Sequence, residues 1–374
     1  MSLLDQLPTL RYILDMNSSN NKDSVVTNNN NFSDYFLQSS TWTKAWETAQ
    51  VGDHKIIDYI KGVFKSKIYQ YPWHGGIMWY LAKGPVIGEE FTIEGCTKEE
   101  FVEYLSGLYE LAKKKKVKFL KLDLNDNITN FLGLDDKGMR LLLEDAKLNC
   151  NYSADSLQYT QCAILPLSTI PKIENYKELN LEQFVNIYEP LLRTFSKTRR
   201  YEMNKVFKKY LDKQITFKTD KSKETFDDFW KVHIATAERQ NIATNPSDYN
   251  YRMLKNNDFV HILVGYDAED KPCCGWYGVA LGDTLTYLLG GNNDVSIKNQ
   301  YQHMLHIQSL YYAYINDYKY YDFGGYDKNF GYGMYKDRFN PIIRTFLSPV
   351  DIIIDPISYN LYRLLKKIKN KLKR

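Results

Sequence analysis

The sequence predicts an α/β fold of mixed sheets flanked by helices, built twice, and three observations lead there. At 374 residues the chain exceeds what one ordinary hydrophobic core organises, so two domains or one doubled architecture are expected. Hydrophobic residues make up 44% and charged residues 25%, the balance of a globular chain. Two stretches follow one plan: a glycine-ended strand (WYLAKG, TYLLGG), a helix, a short polar joint, and a strand closing on aspartate (KFLKLD, KYYD). An internal duplication is the simplest account of that recurrence, and strands alternating with helices predict sheets carrying helices on their faces.

Taken in order, residues 17–31 (NSSNNKDSVVTNNNN) are polar and of low complexity, which predicts a mobile loop. FSDYFLQSSTWTKAWETAQ predicts a helix; HKIIDYIKGVFKSKIYQY and GIMWYLAKGPVI read as strands parted by the turn-forming PWHGG. KEEFVEYLSGLYELAKKKK carries apolar residues at helical spacing and ends in lysines, which suit the negative pole of a helix C-terminus; VKFLKLDL follows as a buried strand. In the second half, FVHILVGYDAEDKPCCGWYGVALGDTLTYLLGG reads as a three-strand meander with DAEDKP and GD turns. IKNQYQHMLHIQSLYYAYINDY then predicts a helix, and KYYDFGG the closing strand.

Charge and cysteine usage narrow the class. No apolar run is long enough to span a bilayer, and MSLLDQLPTLRYILDM lacks the basic start and apolar centre of a signal peptide. The five cysteines include no CxxC and no zinc spacing, which favours reduced thiols and a cytoplasmic protein. Adjacent Cys273 and Cys274 alternate across a strand and read as structural. A net charge of +4 names no partner, so its distribution matters. In LLRTFSKTRRYEMNKVFKKYLDKQ, Leu192, Phe195, Met203, Val206, Phe207 and Tyr210 form an apolar stripe that leaves Arg193, Lys197, Arg200 and Lys208 on other faces: a surface helix, or one that tracks phosphates. The terminal YNLYRLLKKIKNKLKR places Leu361, Leu364, Leu365, Ile368 and Leu372 on one stripe. It reads as a cap on the fold, or as a cationic face for an anionic membrane or an RNA backbone.

Several motifs are excluded. Asp322–Phe323–Gly324 has no HRD loop or VAIK lysine to make a kinase, and no GxxxxGK[ST] occurs. His303 and His306, one turn apart, have no HExxH context and read as ordinary helix residues rather than metal ligands. The segment YKYYDFGGYDKNFGYGMYKDRFNP (318–341) stands apart. Its strand runs into a long tyrosine–glycine loop in which Gly324, Gly325, Gly331 and Gly333 permit positive φ and the close approach of another molecule.

The order QYTQCAILPLS (158–168), SKTRRYEMNKVFKK (196–209), HIATAERQNI (233–242), YLLGG (287–291), YYDFGGYD (320–327) and MYKDRFNP (334–341) resembles the FemABX peptidyltransferases, over most of the chain from FLQSSTW onward. The resemblance implies two tandem acetyltransferase-like (GNAT-type) domains without a coiled-coil arm. The first would comprise residues 1–155 completed by 343–374, and the second 156–342. It implies transfer of an amino acid from aminoacyl-tRNA to an amine on the stem peptide of a peptidoglycan precursor, with no cofactor and no metal. Lys336 matches the family's aromatic–lysine loop and would bring positive charge to the ester carbonyl or the tRNA 3′ end, with Tyr335 beside it. Asp123 falls where the family has an acidic residue near the acceptor amine, and Asp322 closes the equivalent strand; either is also suited to capping a loop. Arg239 would contact an acceptor phosphate, and Arg199 and Arg200 the RNA, while Gly324 and Gly325 would let substrate approach. One departure concerns the acceptor. Compact members carry a phosphate-binding lysine four residues after the tryptophan of FLQSxxW; here that position is Trp46, and Lys44 lies two residues earlier. That leaves a lipid-linked precursor or another amine open beside a nucleotide-linked one, and the inner face of the plasma membrane open as the place of work. An N-acyltransferase using another donor ranks second, because no Q/RxxGxG/A loop is present. A non-catalytic RNA- or envelope-binding module ranks third.

Overall fold

A computed structural model describes residues 35–50, 54–73, 75–152, 157–240 and 244–372. The loop read into residues 17–31 lies outside them. The chain divides into two units, one formed by residues 1–160 and 345–374 and the other by 161–344.

The first unit opens with α1 (Ser40–Ala49), started by Ser39, whose hydroxyl accepts the Trp42 N–H at 3.1 Å. The stretch HKIIDYIKGVFKSKIYQY is a hairpin of β1 (Lys55–Lys61) and β2 (Phe64–Trp73), because Gly62, with φ of 57°, turns the chain between them. β3 (Gly76–Gly84) returns antiparallel to β2, and the short β4 (Val86–Ile87) also pairs with β2. α2 (Lys98–Lys114) begins in a capping box in which Thr97 and Glu100 satisfy each other's backbone N–H groups, and ends on Lys113 and Lys114. It crosses the sheet to β5 (Phe119–Leu124), which runs parallel to β3 from Met78↔Phe119 to Gly84↔Leu124. α3 (Asp126–Phe131), α4 (Asp136–Asp145) and the edge strand β6 (Cys150–Asn151) follow. Phe101, Tyr104, Leu105 and Leu108 of α2 bury against Ile68, Trp79, Leu81, Leu120 and Leu122, each large apolar side chain stabilising the unit by roughly 1.5–3 kcal/mol.

The second unit repeats the plan. β7 (Gln161–Pro166) enters the sheet; α5 (Leu181–Ile187), α6 (Glu189–Thr194) and α7 (Lys197–Leu211) lead to β8 (Ile215–Lys218). The basic stretch read as one helix is therefore two, broken where Ser196 caps α7 by accepting the Arg199 N–H at 3.2 Å. α8 (Lys223–Arg239) and α9 (Ser247–Asn256) precede the meander of β9 (Val260–Asp267), β10 (Pro272–Leu281) and β11 (Thr284–Asn292). The crossover helix is also divided, into α10 (Asp294–Asn299) and α11 (Gln302–Ile315), by Gln300 in the left-handed conformation at φ 63°. β12 (Tyr320–Gly325) then lies parallel to β11, and α12 (Gly331–Asp337) and β13 (Ile342–Thr345) complete the unit. Its sheet order is β13-β7-β12-β11-β10-β9-β8.

The chain finally returns to the first sheet. β14 (Val350–Ile353) inserts between β5 and β6, giving β1-β2-β3-β5-β14-β6, and α13 (Pro356–Leu372) ends the described chain. In both sheets the strand reached by the crossover has the meander's last strand on one side, parallel, and an antiparallel strand on the other: β14 beside β5, β7 beside β12. Among the described residues no helix exceeds 17 residues.

Candidate active site

The lysine-bearing segment is built by β12 and α12. The ladder between β11 and β12 holds for Thr284↔Tyr320, Leu285↔Tyr321 and Thr286↔Asp322, and stops there. Asp322 is buried at that point, and its Oδ1 accepts the Gly324 N–H at 2.7 Å. Gly324 sits at φ 73°, where a Cβ would lie 2.9 Å from the Tyr287 carbonyl oxygen, so only glycine fits both the turn and the approach. After this bulge Gly325 pairs with Cys162 on β7, and its carbonyl accepts a hydrogen bond from Lys336 Nζ.

Burial pushes the Lys336 ammonium down to about 8, against the opposing pull of the Asp322 carboxylate. Burial also raises Asp322 to about 6, opposed by the Gly324 N–H and the charges of Lys336 and Arg344. At neutral pH the site therefore holds a half-buried ammonium beside a buried carboxylate.

The glycines act differently from the sequence reading. Residues 331–337 form α12 rather than part of a long loop, and of Gly324, Gly325, Gly331 and Gly333 only Gly324 has a positive φ. At Gly333 a Cβ would fall 1.9 Å from the Asp327 carbonyl oxygen, so that glycine lets the chain pack on itself.

Behind α12 stands a buried polar cluster. Arg199, fully buried on α7, lies over the rings of Tyr335 and Phe339 at 4.2 and 4.3 Å. It donates to the Tyr335 carbonyl at 2.9 Å and to the His303 ring at 2.7 Å, and pairs with Glu202 at 3.1 Å. The His303 ring stacks on Tyr335 at 5.4 Å and 11°, and its Nδ1 is 2.9 Å from the Tyr335 hydroxyl. Burial, reinforced by the Arg199 charge, drives His303 down to about 2 and His306 to about 3, so both imidazoles are neutral. Arg199 thus grips the carbonyl immediately before Lys336, and as folded it offers no face to an external phosphate. The expectation that it contacts RNA is corrected by its burial. His303 and His306 are buried residues of α11 that line this cluster.

The remaining expected residues sit separately. Asp123 is buried on β5 of the first unit, where its Oδ2 accepts the Tyr80 hydroxyl at 2.5 Å and the Gln158 N–H at 3.2 Å. That carboxylate beside it raises Tyr80 further above the ordinary phenol range, where burial has already placed it. Lys121, two residues away on the same face of β5, forms a buried ion pair with Asp351 of β14 at 2.6 Å, and Tyr359 donates to the same carboxylate. Arg239 is exposed at the end of α8, with both Nη atoms 3.1 Å from the Asn292 carbonyl. Arg200 donates to the carbonyls of Arg193 and Phe195 and so joins α6 to α7. Lys44 is exposed on α1, whereas Trp46 is buried against Tyr69 at 4.8 Å. Among the described residues no cluster of three or more His, Cys, Asp or Glu could hold a metal ion.

Sequence reasoning missed Glu202 and Tyr80, although one signal was present. Arg199, Glu202, Met203 and Val206 fall at i, i+3, i+4 and i+7 and are the buried positions of α7, so the apolar stripe ran through an Arg–Glu pair.

Residues 196–336 match the family model of an acetyltransferase (GNAT) domain. Among solved structures, a crystal structure of FemX is similar with a TM-score of 0.63 at 14% identity, covering 87% of this chain and 94% of that one. The structure of L-PGS from Bacillus licheniformis gives 0.49 at 11% identity, over 83% and 87% of the two chains. A tandem GNAT protein from the clavulanic acid biosynthesis pathway gives 0.46 at 8%, over 83% and 87%. No curated protein matches the sequence significantly. The chain has the fold of FemX, two GNAT-like units in tandem.

Proposed function

We propose that the protein is an aminoacyltransferase that moves an amino acid from aminoacyl-tRNA to an amine on the stem peptide of a peptidoglycan precursor. The observation that carries this reading is the Lys336 ammonium, half-buried at the point where β11 and β12 part and held by the Gly325 carbonyl beside Asp322. An ester carbonyl attacked by an amine becomes a tetrahedral oxyanion, and a fixed, poorly hydrated ammonium stabilises that charge better than water does. The attacking nitrogen loses a proton, the C–N bond forms, and the ester C–O bond breaks to release the tRNA 3′ hydroxyl. In this reading Lys336 faces the developing oxyanion or the ester end, Asp322 keeps it charged, and Tyr335 fixes its backbone. Arg239 meets an acceptor phosphate, and the exposed Lys197, Lys205 and Lys208 of α7 meet the RNA.

The test is incubation with a pool of charged tRNAs and either soluble or lipid-linked precursor, followed by the mass of the product. A mass increase of one or more amino-acid residues on the stem peptide is expected; none with any donor refutes the reading. The GNAT match over residues 196–336 favours a second reading, N-acyl transfer from another donor. Acylation from a thioester donor without tRNA would select it.

A further inference from the structure

We propose that α13 lies in the interface of an anionic lipid bilayer, with its outer aliphatic stripe among the lipids. Ile357, Leu361, Leu364, Leu365 and Ile368 are 84, 44, 54, 40 and 46% exposed. At 100° per residue they share an arc of about 100°, one continuous stripe. The opposite side is the one that docks. Tyr359 is buried and donates to Asp351 at 2.7 Å, and the Tyr362 ring packs on Phe119 at 4.8 Å and Trp73 at 5.7 Å. The helix is fixed to its own unit by tyrosines and turns its aliphatic side chains to solvent, the reverse of a helix that caps a core.

Charge identifies the occupant. From Pro356 to Arg374 the chain carries Arg363, Lys366, Lys367, Lys369, Lys371, Lys373 and Arg374 and no Asp or Glu. An anionic bilayer accepts both features, its headgroups the cations and its acyl boundary the stripe. An RNA backbone would leave the leucines and isoleucines in water, and a second copy of this helix would bring like charges together. Membrane attachment stands without the transferase reading; that it brings the site to a lipid-linked acceptor rests on that reading.

The test is co-sedimentation of the full chain with vesicles of phosphatidylcholine alone or mixed with phosphatidylglycerol. Binding is expected to the mixed vesicles, to weaken with salt, and to fall by about tenfold or more in the double variant Leu364→Gln, Ile368→Gln. Lys366→Gln with Lys367→Gln should weaken it as well. The unfolding temperature should hold in both, since these side chains are exposed and half-buried at most. Transfer to a soluble precursor should be unchanged, so loss of vesicle binding and failure of the transferase reading are told apart. Equal binding by wild type and the stripe variant, no binding to anionic vesicles, stripe-dependent dimerisation in solution, or tail-dependent binding to tRNA alone would each overturn the proposal.

Discussion

Lys336 offers a test in which the sign of a pH effect separates two chemical roles. Burial lowers its pKa from 10.5 to about 8, so the site disfavours the ammonium by about 3 kcal/mol relative to water. With a pKa of about 8 the charged fraction is about 0.9 at pH 7 and about 0.1 at pH 9. If the ammonium stabilises the oxyanion, its removal in Lys336→Met should cost on the order of a hundredfold in single-turnover transfer at pH 7. The ratio of wild-type to variant rate should be flat below pH 8 and fall about tenfold per pH unit above it. Taking the ratio cancels the titration of the acceptor amine, which both proteins share. A neutral lysine acting as base would instead make the ratio rise toward pH 8. Lys336→Arg should rescue poorly, because a planar guanidinium cannot occupy the place of a compact ammonium. Stability gives an independent sign. A lysine whose folded pKa lies below its unfolded value leaves the unfolded chain holding more protons between about pH 8 and 10.5, so its destabilising contribution is full below pH 8 and is relieved as pH rises through that window. Lys336→Met should therefore not lower the unfolding temperature strongly at pH 7. A flat or rising rate ratio refutes the electrophilic role; a collapse in unfolding temperature makes the lysine structural.

Asp322→Asn removes the charge that holds Lys336 up, so the break in the wild-type rate profile should move below pH 8, a shift read from the same single-turnover series. Since Asp322 is raised to about 6, its stabilising contribution is present below its ordinary pKa and lost as pH rises through about 6; Asp322→Asn should flatten that part of the stability curve measured by denaturant unfolding. Arg199→Met takes from the buried Glu202 its closest cation, leaving Arg338 at 3.5 Å and Gln300, and should destabilise the protein by roughly 3 kcal/mol, seen as a fall in denaturation midpoint, while tRNA affinity measured on the folded variant is unchanged. Neutralising Lys197, Lys205 and Lys208, which lie exposed on α7, should weaken all tRNAs alike and reduce the salt slope of binding; loss for one tRNA only would indicate base readout.

The fold was legible because its signals are local and repeated. The period of α2, the lysines that end it, the GD turn between β10 and β11 and the continuous burial of β5 each depend on a few neighbouring residues. What was misread or left unread depends on single positions or on distant chain. Gln300 in the left-handed conformation divides the crossover helix, and glutamine gives no sign of that conformation. The place of β14 between β5 and β6 follows from long-range pairing, Val350↔Leu122 to Ile353↔Phe119, which no periodicity encodes.

At the candidate site the sequence singled out Lys336 and Asp322 but not what holds them. The stripe through Met203 and Val206, carried back one turn, lands on Arg199 and Glu202. Reading Arg199 as an RNA contact and passing over Glu202 ignored that a charge on an apolar face must find a partner inside. That partner set came from α11 and α12, about a hundred residues away: His303, neutral because it is buried beside a guanidinium, and the Tyr335 carbonyl. The consequence is a division of labour among the basic residues of one motif. In SKTRRYEMNK, Arg199 fixes the backbone at Lys336 and Arg200 ties α6 to α7, which leaves the exposed Lys197 and Lys205 for a polyanion. A charge run that reads as one binding patch in the sequence is, once folded, part scaffold and part surface, and only the second part should carry the salt dependence of binding.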